Sequence, residues 1–238
     1  MGNAQDKQEK NRDYTLQTCE EHEGSINCME ISEDGSVLVT GSDDAYVRLW
    51  STKTEIVECI GVLEGHEDYI TSILIEDNFV LSSSADKTIR KWDMYSCECL
   101  LVFSGHESTV NKMVCTGDFL FSVSYDKKAR CWDFDTGETI RIFSGHKNNV
   151  TSILFIPADQ QEGEDSLDFI QEHAAKMGKG QNFSSKKEAD PNHSAEDDLY
   201  SKDLVITGSL DSTAKSWSIE TGETVQTYKG IIQLIYEI

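Results

Sequence analysis

All four tryptophans of this chain occupy one position in a repeated pattern. Trp50, Trp92, Trp132 and Trp217 each lie six residues after an aspartate, namely Asp44, Asp86, Asp126 and Asp211. Each aspartate in turn follows a hydroxyl residue, Thr40, Ser82, Ser122 or Thr207, by four. A histidine stands upstream of every group: His22, His66, His106 or His146. In three units a glycine precedes it, and Gly65, Gly105 and Gly145 recur at intervals of 40 residues. Self-similarity at such a period marks a repeat architecture in which one small structural unit is used several times.

Within one unit the apolar runs are short and rich in β-branched residues: 69–75, 79–84, 88–92 and 98–103. Glu76-Asp77-Asn78 and Ala85-Asp86-Lys87, residues of turn chemistry, separate the first three. Four strands in one such period make one blade of a propeller. The pattern therefore predicts an all-β chain of four-stranded antiparallel blades over 14–238, with repeats at about 22–63, 64–103, 104–143 and 144–229. A polar start, 1–13, is expected to be flexible.

With these residues in view, the chain resembles the WD-repeat β-propeller family over nearly its whole length outside one insertion. The Trp-Asp pair itself stands at Trp92-Asp93 and Trp132-Asp133, while Trp50-Ser51 and Trp217-Ser218 depart from it. Ser, His and Asp are also the parts of a nucleophilic triad, but an enzyme needs one positioned site and here the set occurs four times. The resemblance implies a structural role instead. It gives a hydrogen-bonded chain from the His, through the Asp and the Ser/Thr, to the Trp indole, which satisfies polar groups inside the blade.

Charge and cysteine content bound the partners. The formal net charge is −22, and no basic stripe is present to draw phosphates, so nucleic acid is not an expected partner. The seven cysteines are odd in number and scattered, with Cys28, Cys59, Cys115 and Cys131 at strand positions suited to reduced, buried thiols. Cys97 and Cys99 are expected to share one side of a strand, but nothing nearby completes a metal set, so no metal and no cofactor is expected. The start of the chain has no apolar stretch of signal type, and the expected location is the cytoplasm, with the nucleus as an alternative. Gly2 is a candidate for N-myristoylation, although Asp6 stands where Ser or Thr is preferred. A single such chain is not a stable membrane anchor.

Two places break the repeat. From Gly145 to Gly230 the spacing is 85 residues, and the excess falls within 157–202, an acidic and polar insertion expected to be disordered. Inside it Leu167, Ile170, Ala174 and Met177 fall on one helical face, either a transient helix on its own propeller or a docking helix for a partner. Beyond Lys229 an apolar run ending at Ile238 follows without a histidine, so the ring is short of the usual blades. A shortened product of a longer propeller, an unusual four-bladed ring and self-association of two copies to complete a ring are the alternatives, the first favoured by that tail. Thr15 to Cys19 reads as the outer strand that the family lends to its last blade.

The expected function is a non-catalytic scaffold for protein partners, with a basic peptide segment suited to the acidic surface. Candidate contact residues flank the tight turns and the loops between blades: Asp43, Asp68, Tyr69, Tyr125 and Leu210. Tyr69 and Tyr125 are expected to form an aromatic anchor. A substrate receptor of a ubiquitin ligase is the alternative within the binding class, weakened because Met94-Tyr95 and Phe134-Asp135 stand where the family's adaptor motif wants Arg or Lys. An enzyme is the alternative of another class, and no phosphate loop or lone acid-base pair supports it.

Overall fold

The structure is a computed structural model and describes residues 17–157 and 203–229. Among them all regular structure is strand, arranged as four sheets of four. Blade 1 holds β1 (Ile26–Ile31), β2 (Val37–Ser42), β3 (Val47–Ser51) and β4 (Glu58–Leu63). Blade 2 holds β5 (Ile70–Glu76), β6 (Phe79–Ser84), β7 (Thr88–Asp93) and β8 (Cys99–Ser104). Blade 3 holds β9 (Val110–Cys115), β10 (Phe119–Ser124), β11 (Lys128–Asp133) and β12 (Thr139–Ser144). Blade 4 holds β13 (Val150–Ile156), β14 (Leu204–Ser209), β15 (Thr213–Ser218) and β16 (Thr224–Lys229). In each blade the strands lie side by side in chain order and run antiparallel, so short turns suffice to join them.

The blades pack face to face in sequence order, with β1 against β5, β5 against β9 and β9 against β13. The inner strands are consequently buried on both faces and lose the simple alternation of a half-exposed sheet. In β6, Val80 enters the core shared with blade 1, beside Leu49 and Leu63. Its neighbour Leu81 enters the core shared with blade 3, beside Met113 and Leu120. A third slab lies between blades 3 and 4, where Phe121, Cys131 and Phe143 meet Val150, Val205 and Trp217. Each such aliphatic side chain contributes on the order of 2 kcal/mol by leaving water.

Sequence spacing and strand geometry meet at the tryptophans. The pairing of third and fourth strands shifts register just before each one, between Leu49 and Trp50, Lys91 and Trp92, Cys131 and Trp132, and Ser216 and Trp217. The extra residue lies in the fourth strand, at Ile60, Leu100, Ile140 and Val225, and bends that outer strand. Trp92, Trp132 and Trp217 are fully buried.

Two expectations differ from the structure. Gln17 to Cys19, the described part of the expected outer strand, is not in a strand; the Gln17 amide instead clamps Val57 beside β4, donating to its carbonyl at 2.7 Å and accepting its N–H at 2.8 Å. Cys97 and Cys99 do not share a strand. Cys97 sits in the turn before β8 with φ +59°, where blades 3 and 4 have Gly137 and Gly222. The insertion from Ala158 to Lys202, with its helical face, and the tail from Gly230 lie outside the described residues.

Candidate binding face

Four side chains meet inside every blade with nearly the same geometry. In blade 3 the Trp132 indole N–H donates to Ser122 Oγ at 2.8 Å, and Ser122 Oγ lies 2.8 Å from His106 Nε2. His106 Nδ1 in turn lies 2.7 Å from Asp126 Oδ2. An ionised carboxylate only accepts, so Nδ1 carries the imidazole proton, Nε2 is bare, and the serine hydroxyl must donate to it. Every donor and acceptor then has a partner. The same links join Trp50, Thr40, His22 and Asp44, then Trp92, Ser82, His66 and Asp86, then Trp217, Thr207, His146 and Asp211. The histidine therefore stands between the carboxylate and the hydroxyl, which corrects the expected order in which the aspartate came between them. Geometry requires this, because only the imidazole can receive at one nitrogen and donate from the other.

The aspartate reaches further than the histidine. Its Oδ2 also accepts the N–H of the residue after the histidine, at 3.1 Å from Glu107 and 2.7 Å from Lys147. Its Oδ1 accepts an N–H within the tight turn, at 2.9 Å from Lys128 in blade 3. Each tetrad thereby fastens the loop between blades to the turn between second and third strands. Burial alone would raise the Asp126 carboxyl, but hydrogen bonds from His106 and the two backbone N–H groups outweigh it and hold the pKa at about 2. Asp44, Asp86 and Asp211 are likewise held below the ordinary carboxylate value against the opposing effect of burial. Burial pushes His106 and His146 down, with Asp126 and Asp211 opposing. The resulting state is an ionised aspartate beside a neutral imidazole.

A Ser-His-Asp set with these distances has the form of a nucleophilic triad, but its oxygen is not available. Ser82, Ser122 and Thr207 are fully buried, and the tryptophan indole already occupies the approach to each oxygen. The Gly-His step completes the enclosure. A Cβ on Gly105 would come within 3.0 Å of the Arg130 guanidinium and 3.3 Å of the Trp132 ring. Only glycine lets the chain cross so close to the ring it covers.

The residues expected to contact a partner gather at one end of the blades. In each tight turn, the residue before the aspartate bonds through its backbone N–H to the residue preceding the inner strand of the same blade: Asp43 to Ser25, Ala85 to Tyr69, Tyr125 to Thr109 and Leu210 to Asn149. These four pairs mark equivalent points on successive blades and form an arc. Tyr69 and Tyr125 thus stand on adjacent blades at the same level, 39% and 37% exposed, rather than packed into a core. Leu210 is exposed in the next blade. Asp43 accepts from the Asn27 amide at 2.8 Å, and Asp68 caps the N–H of Tyr69 at 2.8 Å.

Two interblade features carry no motif in the sequence. The second residue of the inner strands β1, β5 and β9 reaches a backbone carbonyl of the next blade: Asn27 to Ile70 at 3.0 Å, Thr71 to Val110 at 2.5 Å and Asn111 to Thr151 at 2.8 Å. Lys91, nearly buried, donates to the Phe134 carbonyl at 3.1 Å and lies 3.6 Å from that ring's centroid. A shared place in the inner strand, at steps of 44 and then 40 residues, is the signal for the first; a charged residue on an apolar blade face is the signal for the second. Among the described residues no group of three or more His, Cys, Asp or Glu side chains is placed to hold a metal, and all seven cysteines are free. Gly2 lies outside the described residues.

Comparison with known proteins agrees with this anatomy. The model of the WD domain, G-beta repeat, matches residues 14–51, 57–93 and 97–133. Mitochondrial division protein 1 of Candida glabrata is 34% identical over an alignment of 96 positions that covers 35% of this chain and 14% of that protein. Human WD repeat-containing protein 86 is 45% identical over 62 residues, 26% of this chain and 16% of that protein. The chain thus aligns with only a small part of these relatives' length. Two computationally designed proteins of solved structure share the fold. Ika8 superposes with a TM-score of 0.62 at 22% identity over 88% of this chain and 50% of its own, and Ika4 with 0.60 at 21% over 87% and 99%. WD40 repeats serve as frames for protein interaction. With three repeats matched and a fourth blade built with the same strand order and the same tetrad, this chain is a WD40-repeat protein of the β-propeller class.

Proposed function

We propose that the chain is a non-catalytic scaffold that holds a basic segment of a protein partner across its tight-turn face. Tyr69 and Tyr125 act as aromatic anchors, Leu210 extends the apolar contact, and Asp43 and Asp68 supply opposing charge. The observation that carries this reading is the arc of backbone-bonded pairs that sets one exposed tyrosine on each of two adjacent blades. Tyrosine gives large contact area with little side-chain entropy to lose, and a rigid frame lowers the cost of ordering the interface. The net charge of −22 attracts a cationic segment at a distance and speeds its encounter.

The test uses a panel of Lys- and Arg-rich peptides bearing aliphatic residues, titrated into the isotope-labelled full chain. Shifts should cluster around Tyr69, Tyr125 and Leu210, and affinity should fall at least about ten-fold in the Tyr69→Ala, Tyr125→Ala double variant with unchanged melting. Equal binding by that variant would refute the reading. So would shifts centred on the other end of blades 1 and 2, where Glu30, Glu33, Glu76 and Asp77 line an acidic hollow. There burial, then Asp77 and Glu33, push the Glu76 carboxyl upward, so a cation has charge to neutralise.

A further inference from the structure

The residue after each tetrad histidine lends the frame only its backbone. The tetrad aspartate accepts its N–H at 3.0 Å from Glu23, 3.1 Å from Glu67, 3.1 Å from Glu107 and 2.7 Å from Lys147, whatever the side chain. All four of these side chains are exposed. The tight turns leave the same freedom. Ala45, Lys87, Lys127 and Ser212, each following a tetrad aspartate, donate their N–H to the carbonyls of Ser42, Ser84, Ser124 and Ser209, again without using the side chain. The fold therefore does not choose the charge at these positions.

That charge nonetheless changes in order along the arc. Blade 1 presents Glu23 and Asp43 with no cation beside them in the loop or the turn. Blade 2 presents Glu67 and Asp68 against Lys87. In blade 3 Glu107 is matched by Lys128 at 2.9 Å, which leaves Lys127. Blade 4 presents Lys147, followed by the neutral Asn148 and Asn149. The tetrad aspartate occurs once in every blade and does not distinguish one from another. Two acids, then two acids with one base, then one acid with two bases, then one base give net charges of −2, −1, +1 and +1. In a chain with 43 Asp and Glu against 21 Lys and Arg, a positive end on two neighbouring blades is the exception. The sign changes between blades 2 and 3, and Tyr69 and Tyr125 stand one on each side of the change.

We infer that the tight-turn end takes a charge-segregated peptide segment, with Lys or Arg over blades 1 and 2, apolar residues against the two tyrosines, and Asp or Glu over blades 3 and 4. This rests on the reading of that end as the binding face and adds to it the order of charges. Glu23, Asp43, Glu67 and Asp68 receive the cations; Lys127 and Lys147 receive the carboxylates. Exposed ion pairs are weak singly, but a segment laid the wrong way sets like charges together at both ends. The order of charges thus fixes which segment binds and how it lies more than how tightly it is held. Packed sheets stand about 10 Å apart, so the middles of the two blade pairs are about 20 Å apart, the span of roughly six extended residues.

Two peptides of one composition test the inference. In the first, lysines at one end and glutamates at the other flank about six uncharged residues that include leucine. The second has the glutamates set among the lysines. Equal net charge gives both the same attraction at a distance, so a difference in affinity reports local order. The segregated peptide should bind the full chain about five-fold more tightly, the worth of two exposed ion pairs. The Lys127→Glu, Lys147→Glu variant, altered only at exposed positions, should melt as the wild type does and lose that preference. A nitroxide on the lysine end should broaden the amide signals of Glu23 and Glu67, and one on the glutamate end those of Lys127 and Lys147. Equal affinities, a preference that survives the double lysine variant, or broadening that ignores which end carries the label would each overturn the charge order. If the Tyr69→Ala, Tyr125→Ala variant weakens both peptides in that case, the binding face itself still stands. Absence of binding at this end, or binding that the tyrosine variant leaves unchanged, would overturn the face and the charge order together.

Discussion

Ser122 Oγ lies 2.8 Å from His106 Nε2 and serves that nitrogen and the Trp132 indole at once. Replacing Ser122 with alanine strands two polar groups in a site with no access to water. Each unmet group costs about 1 to 3 kcal/mol, so Ser122→Ala should lower the unfolding free energy by about 3 kcal/mol. Urea denaturation followed by tryptophan fluorescence measures the difference. A change below about 1 kcal/mol would show that the oxygen does not bridge the two rings.

Stability should fall in two stages as the solution is acidified. His106 and His146 have pKa values pushed below the unfolded value of about 6.5, so their contribution is complete above that pH and shrinks below it. The aspartates act lower. Asp126, at about 2 when folded against about 3.9 unfolded, contributes stability present above about pH 4 and lost as pH falls towards 2, on the order of 2 kcal/mol. Denaturation midpoints between pH 8 and pH 2.5 should therefore be level at the alkaline end, decline below about 6.5 and drop more steeply below about 4. A flat profile down to pH 3 would contradict the assigned protonation states.

Lys127 follows Asp126 in the tight turn and has φ +72°, a left-handed conformation that a side chain disfavours. It is exposed, so removing the side chain exposes no core. Lys127→Gly should raise stability by about 0.5 to 1 kcal/mol, the relief of strain less the greater freedom of glycine when unfolded. Thermal melting of the variant checks the sign.

Lys91 and Phe134 should respond unequally to substitution. The ammonium lies 3.6 Å from the Phe134 centroid and 4.4 Å from that of Phe79, donates to the Phe134 carbonyl, and pairs with the exposed Asp135 carboxylate at 3.4 Å. Lys91→Met keeps the volume and removes both the charge and its desolvation cost, and stability should change by less than about 1.5 kcal/mol. Phe134→Ala empties a buried ring site while the backbone carbonyl and Asp135 still hold the ammonium, and about 3 to 5 kcal/mol should be lost. Similar losses from the two would mean that the ion, not the packing, joins blades 2 and 3.

Residues that act within one blade were legible in the sequence. The ten-residue step from Ser122 to Trp132 survives in all four units because the hydroxyl and the indole sit on paired neighbouring strands, where register permits no drift. The four strands of blade 2 were equally plain, since turn residues separate β-branched runs. What crosses between blades was not. Asn27, Thr71 and Asn111 do the same work with different side chains, so no residue type repeats to announce it. Lys91 has its partner 43 residues away, and only the packing of the blades brings them together. Cys97 was misplaced because it fills a left-handed turn position that glycine marks in the next two blades; setting Asp93 to Cys97 beside Asp133 to Gly137 would have exposed it.

The claim at the centre is that the repeated Ser/Thr, His, Asp and Trp set holds the blades and is closed to substrate. Hydrogen exchange of the tryptophan indole protons, resolved by NMR in the folded chain, tests it most directly. The indole protons of Trp92, Trp132 and Trp217 should exchange only through global unfolding, slower than a free indole by a factor on the order of 10³ or more. Trp50 should be the least protected, because its blade has an uncovered face. Rapid exchange at Trp92, Trp132 or Trp217 would mean that water reaches the hydroxyl beside it, and the closed structural role assigned to that tetrad would be wrong.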